Sequence, residues 1–240
     1  MLYSKLICSL LFVSLPLVPM LSSADAVIIE AGADNTLYED ALGSVSNGSG
    51  AIMVAGRTRG EVDSIRRAVL FFDVAGAIPH GAVVESVAVN LYLNRGNGGV
   101  REMRLHRLLT DWGEGASVKN GGGLGAPAQP GDATWLHTFY PDSFWGGGGG
   151  RYVGRVSAMQ LVGTPDLEPE KTDIPGTYTW QSTDRLIDDV RRWVRNPEKN
   201  YGWILVGDES VEQTAKQFAS REDVSLDLRP TLEVTYTLPE

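Results

Sequence analysis

The chain has 240 residues, with 21 Lys and Arg against 30 Asp and Glu, and a formal net charge of −9. An acidic chain without a basic run repels nucleic-acid phosphates and anionic membrane surfaces, which sets nucleic acid aside as a partner. Cys8 is the single cysteine, so no intrachain disulfide can form.

Residues 1–26 read as an export signal. Lys5 precedes the apolar run "LICSLLFVSLPLVPML", and Ala24, Asp25 and Ala26 supply a small-x-small cleavage site. The reading implies a secreted, extracellular protein that begins near Val27. That apolar run is interrupted by Pro16 and Pro19, and no later stretch approaches the roughly 20 apolar residues that a membrane span needs. No membrane insertion is expected. Residues 27–240 suit one β-sandwich or barrel, since such folds reach about 200–250 residues as a single domain.

Along the chain, short apolar runs are punctuated by Gly, Asn, Asp and Pro, which is the pattern of strands joined by turns. The predicted strands are 27–31, 35–39, 51–56, 66–74, 83–94 and 100–109, followed after a gap by 177–181, 202–208, 215–220 and 231–237. In "SVAVNLYLN" the residues Val87, Val89, Leu91 and Leu93 face one way and Ala88, Asn90 and Tyr92 the other, so one face of that strand is buried. The fold class is therefore all-β, with about ten strands. Residues 110–176 are Gly-rich, including "WGEGASVKNGGGLGAP" and "FWGGGGG", and read as one long loop insertion. One segment has helical spacing: Leu186, Ile187, Val190, Trp193 and Val194 share a face, Ser182 or Thr183 caps the start and Pro197 stops the run. This predicts a single short amphipathic helix near 183–195, packed as a lid across the sandwich.

Several chemistries find no support in the residues. "GEGASVKNGGGLGAP" lacks the Gly-Lys-Ser/Thr ending of a phosphate loop. His80, His106 and His137 have no zinc-ligand spacing, and no Gly-x-Ser-x-Gly elbow marks a serine nucleophile. The acidic pairs Asp188-Asp189 and Asp208-Glu209 read as solvated surface. No catalytic residue is assigned. The aromatic set of Trp112, Trp135, His137, Tyr140, Trp145 and Tyr152 lies in or near the insertion, where rings either close the core or stack on sugars. Trp145, followed by five glycines, is expected to be exposed.

Two clusters carry alternatives. Asp34, Asn35, Glu39 and Asp40 group oxygen donors beside turns, either as a solvated acidic turn or as a site for a structural Ca²⁺. Ser220, Arg221 and Glu222 sit between two strand patterns. Arg221 or Glu222 either pairs with a charge on a neighbouring strand, with Arg66, Arg67 and Asp73 as the candidates, or Arg221 joins Lys216 on an exposed face to grip acidic groups of a ligand.

Blocks across nearly the whole exported chain resemble the DNRLRE family of secreted domains. They are "ADNTLYE" (33–39), "IRRAVLFFDVAGAIPHGAVVESVAVNLYL" (65–93), "LHRLLTDWGEG" (105–115), "GDATW" (131–135), "NYGWILVGDES" (200–210), and "FASRE" with "RPTLEVTY" (218–236). The resemblance implies a jelly-roll-like β-sandwich found beside polysaccharide-active enzymes and surface adhesins, with relatives among alginate-binding carbohydrate modules and disaggregatase-related domains. On that basis the chain is expected to be a non-catalytic carbohydrate-binding, matrix or surface module for extracellular, acidic polysaccharide. Its ligand residues would be Trp145, Tyr140, Tyr152, His137 and Lys216. Two other readings stay open. One is a polysaccharide lyase or hydrolase, with His137 or Tyr140 near Arg151 or Lys119. The other is a structural protein that assembles with matrix partners through sheet edges.

Overall fold

The computed structural model describes residues 24–119, 123–168 and 171–239; the segment 1–26, read above as an export signal, lies almost wholly outside the described residues. The elements in chain order are β1 (Asp25–Glu30), β2 (Ala33–Tyr38), β3 (Val45–Ser46), β4 (Ile52–Arg57), β5 (Ile65–Phe71), α1 (Val74–Ala77), β6 (Val83–Gly96) and β7 (Arg101–Arg107). They continue with β8 (Ala126–Pro127), β9 (His137–Phe139), β10 (Ser143–Phe144), β11 (Ala158–Val162), β12 (Gly176–Trp180), α2 (Asp184–Arg195), β13 (Trp203–Val206), β14 (Lys216–Ala219) and β15 (Thr231–Thr237).

Eleven strands form one curled antiparallel sheet in the order β1-β15-β6-β14-β4-β5-β13-β7-β11, with β12 also on β6 and β2 also on β5. β4 turns the corner, because Ile52–Ala55 pair with β14 while Gly56 and Arg57 pair with β5. The two layers close on each other as a jelly-roll-like β-sandwich. Alternation on β6 buries Val87, Val89, Leu91 and Leu93, as their period of two requires. They meet Leu70, Met103, Leu105 and Leu205 of the opposite layer in one core.

The predicted helix is α2. Thr183 is its N-cap, its side chain accepting from the Leu186 N–H at 3.0 Å, and Leu186, Val190, Trp193 and Val194 enter the core. Trp193 packs its ring edge-on against Trp203, 4.4 Å between centroids. A second helix, α1, adds one turn capped by Asp73. Among the described residues no helix is long and apolar enough to cross a membrane.

The insertion differs from the expected loop. It contains β8 to β11, and β11 extends the main sheet by pairing with β7. The rest folds onto the outer face of the β2-β5-β13-β7 layer and buries Trp112, Ala133 and Trp145 against Leu37, Val69 and Ile204, a second hydrophobic cluster. Glycine permits that approach: Gly149 has φ 81°, and a Cβ there would stand 2.4 Å from Arg67 Nη1 and 2.7 Å from the Trp135 ring.

Candidate functional site

Alternation on the outer layer directs two kinds of residue away from the core. The registers set Leu37, Arg67, Val206, Arg104 and Met159 in one row across five strands. Asn35, Val69, Ile204 and His106 form the next row. The insertion covers the end of this face that carries Leu37, Val69 and Ile204, and the end that carries Val206, Arg104 and Met159 stays open. There a groove of about 580 Å³ is lined by Arg101, Glu102, Arg104, Leu161, Val206, Asp208 and Glu209 among others. Its volume is in the range of small-ligand sites, about 300–1,000 Å³.

The charged side chains of the groove differ in how firmly they are held. Arg67 forks onto Glu209, Nε to Oε1 at 2.7 Å and Nη2 to Oε2 at 2.9 Å, and donates from Nη1 to the Gly149 carbonyl. Its guanidinium covers the Trp135 and Tyr152 rings at 5.0 and 5.6 Å. Arg67 is thus committed within the fold. Arg101 is not: Nη1 lies 3.8 Å from Asp208 Oδ2, beyond hydrogen-bond distance, and its buried Nε has no partner among the described residues. Arg104 pairs with Glu102, and both are well exposed. His106, whose Nδ1 is 3.0 Å from the Val153 carbonyl, is pushed below the usual imidazole range by burial, with the charges of Arg104 and Arg67 adding to the effect.

The predicted ligand residues do not converge. Trp145 is 2% exposed and donates from Nε1 to the Thr134 carbonyl at 2.9 Å, so its expected exposure is corrected. Its neighbour Phe144 is 61% exposed, because successive residues of β10 and its extension point to opposite sides. Phe144 stacks near His137, 4.4 Å between centroids, and Tyr140 meets the same imidazole edge-on at 5.1 Å. His137 Nδ1 is 2.9 Å from Thr134 Oγ1. Among the described residues neither His137 nor Tyr140 has a hydrogen bond or ion pair to Arg151 or Lys119. Tyr152 packs on His106, 5.1 Å between ring centroids. Lys216 is fully buried in an ion pair with Asp173 and faces no ligand, which corrects its placement on an exposed face.

Arg221 and Glu222 are ion-paired, with Glu114 in place of the partners expected. Arg221 lies in the turn after β14, where strand alternation no longer applies, and its Nη1 donates to Glu114 Oε2 at 2.9 Å and to adjacent Glu222 Oε1 at 2.7 Å. Arg221 N–H donates to Asp34 Oδ2 at 2.7 Å, and Asp34 N–H donates to Glu114 Oε1 at 2.9 Å. Three distant segments are thereby tied together. Arg66 is not part of the pair: its guanidinium donates to the backbone carbonyls of Gly123, Asp63 and Ile65 and lies 4.9 Å from the Tyr38 ring.

The proposed Ca²⁺ donors are also dispersed. Asn35 Oδ1 accepts from Thr36 N and Asn47 N, Glu39 accepts from the N–H groups of Ser64 and Ile65, and Asp40 accepts from Leu42 and Ser44. Asp34 faces Arg221 instead. Among the described residues no group of three or more His, Asp or Glu is arranged to hold a metal ion.

Three carboxyl groups around one guanidinium make this junction sensitive to pH. Burial holds Asp34 well above the usual carboxylate range against the lowering bond from Arg221 N–H, with Glu222 and Glu114 adding to the rise. Burial likewise raises Glu114 and Glu222. Groups raised in the folded state bind protons more tightly there than when unfolded, so their stabilisation is full in acid and is lost as pH rises through their native values. Removing Arg221 strips away the one cation that opposes this rise. Because its side chain is 37% exposed, Arg221→Ala is expected to cost only about 1 kcal/mol. The loss in melting temperature relative to wild type should be larger at about pH 8 than at about pH 5; an equal or reversed difference would count against this account of the junction.

Sequence reading placed Arg67 only as a candidate partner for Arg221 or Glu222 and Glu209 only on the solvated surface, and did not single out Arg101 or Arg104. The signal was present for Arg67 and Arg104, which occupy the phase opposite to the core residues in "RRAVLFFDV" and "VREMRLHRLL". Comparison with known proteins finds no family model and no curated protein that matches the chain.

Proposed function

We propose that the chain is a secreted, non-catalytic glycan-binding module that holds extracellular acidic polysaccharide, as a matrix or surface component, in the groove on the open end of its outer sheet face. The observation that carries this reading is Arg101. It is a guanidinium at the groove whose buried Nε is unpartnered and whose contact to Asp208 is loose, next to Arg104, which is held only by an exposed pair. Planar guanidinium forks match carboxylates bidentately, and a uronate carboxylate in the groove would pair with the exposed Arg104 guanidinium and with the loosely held Nη1 of Arg101. The leader at residues 1–26 and the resemblance of the sequence blocks to DNRLRE domains support the same reading.

Calorimetric titration with polyuronate oligosaccharides and with a neutral glucan of equal length tests it. Wild type is expected to bind the polyuronate and not the glucan. Arg104→Ala should weaken binding about tenfold, the equivalent of ~1.4 kcal/mol, with the melting temperature unchanged because the pair it breaks is exposed. Absence of binding to either glycan refutes the module, and equal binding to both refutes the role of the carboxylate.

A further inference from the structure

We propose that Lys216 and Asp173 condense into an intrachain amide, a covalent staple between β14 and the segment leading into β12. Both side chains are 0% exposed. Lys216 Nζ lies 2.5 Å from Asp173 Oδ2, 2.8 Å from the Asn97 carbonyl oxygen and 2.5 Å from the Gly99 carbonyl oxygen. Gly96 packs closely against the pair, since a Cβ there would stand 2.3 Å from Asp173 Oδ2 and 2.7 Å from Lys216 Cδ.

The surroundings suit a neutral amine at Lys216. A neutral amine carries two N–H donors, and the Asn97 and Gly99 carbonyls are two acceptors, which leaves the nitrogen lone pair turned toward the Asp173 carboxyl group. Burial pushes the Lys216 ammonium below its usual range, and Arg101 adds to that effect against the attraction of Asp173. On the other side, Asp173 Oδ1 accepts the Thr164 N–H at 2.8 Å. That donor is aimed at the oxygen on which negative charge develops when an amine adds to the carboxyl carbon.

The chemistry balances without an oxidant, a reductant or a co-reactant. The ammonium gives one proton to Asp173 Oδ2, producing an amine and a carboxylic acid. The Nζ lone pair then adds to Cγ while the C=O electron pair moves onto Oδ1. A second proton passes from Nζ to the Oδ2 hydroxyl, which departs as water with its bonding pair as the C=O bond re-forms. Both side chains are shut off from bulk solvent, which protects the product amide from hydrolysis. The bond would close a loop between positions 43 apart, and a crosslink stabilises chiefly by restricting the unfolded chain. In a chain whose single cysteine is Cys8, it takes the place a disulfide would have in other exported folds.

Mass spectrometry of the full chain under denaturing conditions tests the proposal. Relative to the mass calculated from its determined N-terminus, wild type is expected to be lighter by one water, and proteolysis should yield a branched peptide joining the segments around 173 and 216. Lys216→Arg should have the full calculated mass. In Asp173→Asn the same addition would expel ammonia in place of water, so that variant should be lighter by one ammonia. Wild type at its full calculated mass overturns the proposal, as does a water loss that maps to any other residues.

Discussion

Trp145→Ala is expected to lower the stability of the fold by about 3–5 kcal/mol, the range for removing a buried tryptophan. The indole is 2% exposed and is packed in the second hydrophobic cluster with Leu37, Val69, Leu108, Trp112 and Ile204. Its loss leaves a cavity and also leaves the Thr134 carbonyl, which accepts the indole N–H at 2.9 Å, without that donor. The cost falls on the attachment of the insertion to the outer sheet face, because Trp145 is among the side chains that seat it there. Phe144→Ala is the internal control: that ring is 61% exposed, and surface substitutions of this kind stay within about 0.5 kcal/mol. Urea denaturation of both variants measures the difference. If Phe144→Ala proves the more damaging of the two, the seating of the insertion is wrong.

Phe144 and Trp145 also illustrate what was legible before the structure. Where one period runs uninterrupted, as in "SVAVNLYLN" or "RLIDDVRRWV", the buried face follows from spacing: β6 buries the residues that spacing selects, and α2 buries Leu186, Val190, Trp193 and Val194 while Ile187 is only partly covered. In the insertion glycines break the period. A run of five glycines after Trp145 reads as a solvated loop, whereas Gly149 is there because the backbone passes against Arg67 and the Trp135 ring, where no side chain fits. For Lys216 the pattern held the answer, since it shares a phase with buried Phe218 on β14. Arg221 is a different case. Its partner Glu114 is 107 positions away, and no local pattern can specify an ion pair of that separation. The groove depends on registers among five strands together with the portion of the face that the insertion leaves open, which is again information carried by tertiary pairing.

Asp189→Ala is expected to cost about 3–5 kcal/mol, as the removal of one partner from a largely buried ion pair does. Spacing on α2 and the acidic neighbour Asp188 suggested a solvated pair, yet the two carboxylates have opposite fates. Asp188 is exposed, with a long contact to Arg191. Asp189 turns inward, and its Oδ1 accepts from Arg107 Nε at 2.8 Å while Oδ2 accepts from Ser157 Oγ at 2.6 Å and Trp203 Nε1 at 3.0 Å. One side chain therefore joins α2 to β7, to β13 and to the residue preceding β11. Burial raises the Asp189 carboxyl, and its bonds to Ser157, Trp203 and Arg107 oppose that rise, so the carboxylate is held by these partners against its own desolvation. Without it, the Arg107 guanidinium and the Trp203 N–H lose their acceptor in a site with little access to water, and that penalty exceeds the net worth of the bonds themselves. Asp188→Ala should change stability by less than about 0.5 kcal/mol. Denaturant unfolding of the two variants side by side decides the point, and an Asp189→Ala loss no greater than that of Asp188→Ala would show that α2 is held by its apolar face alone.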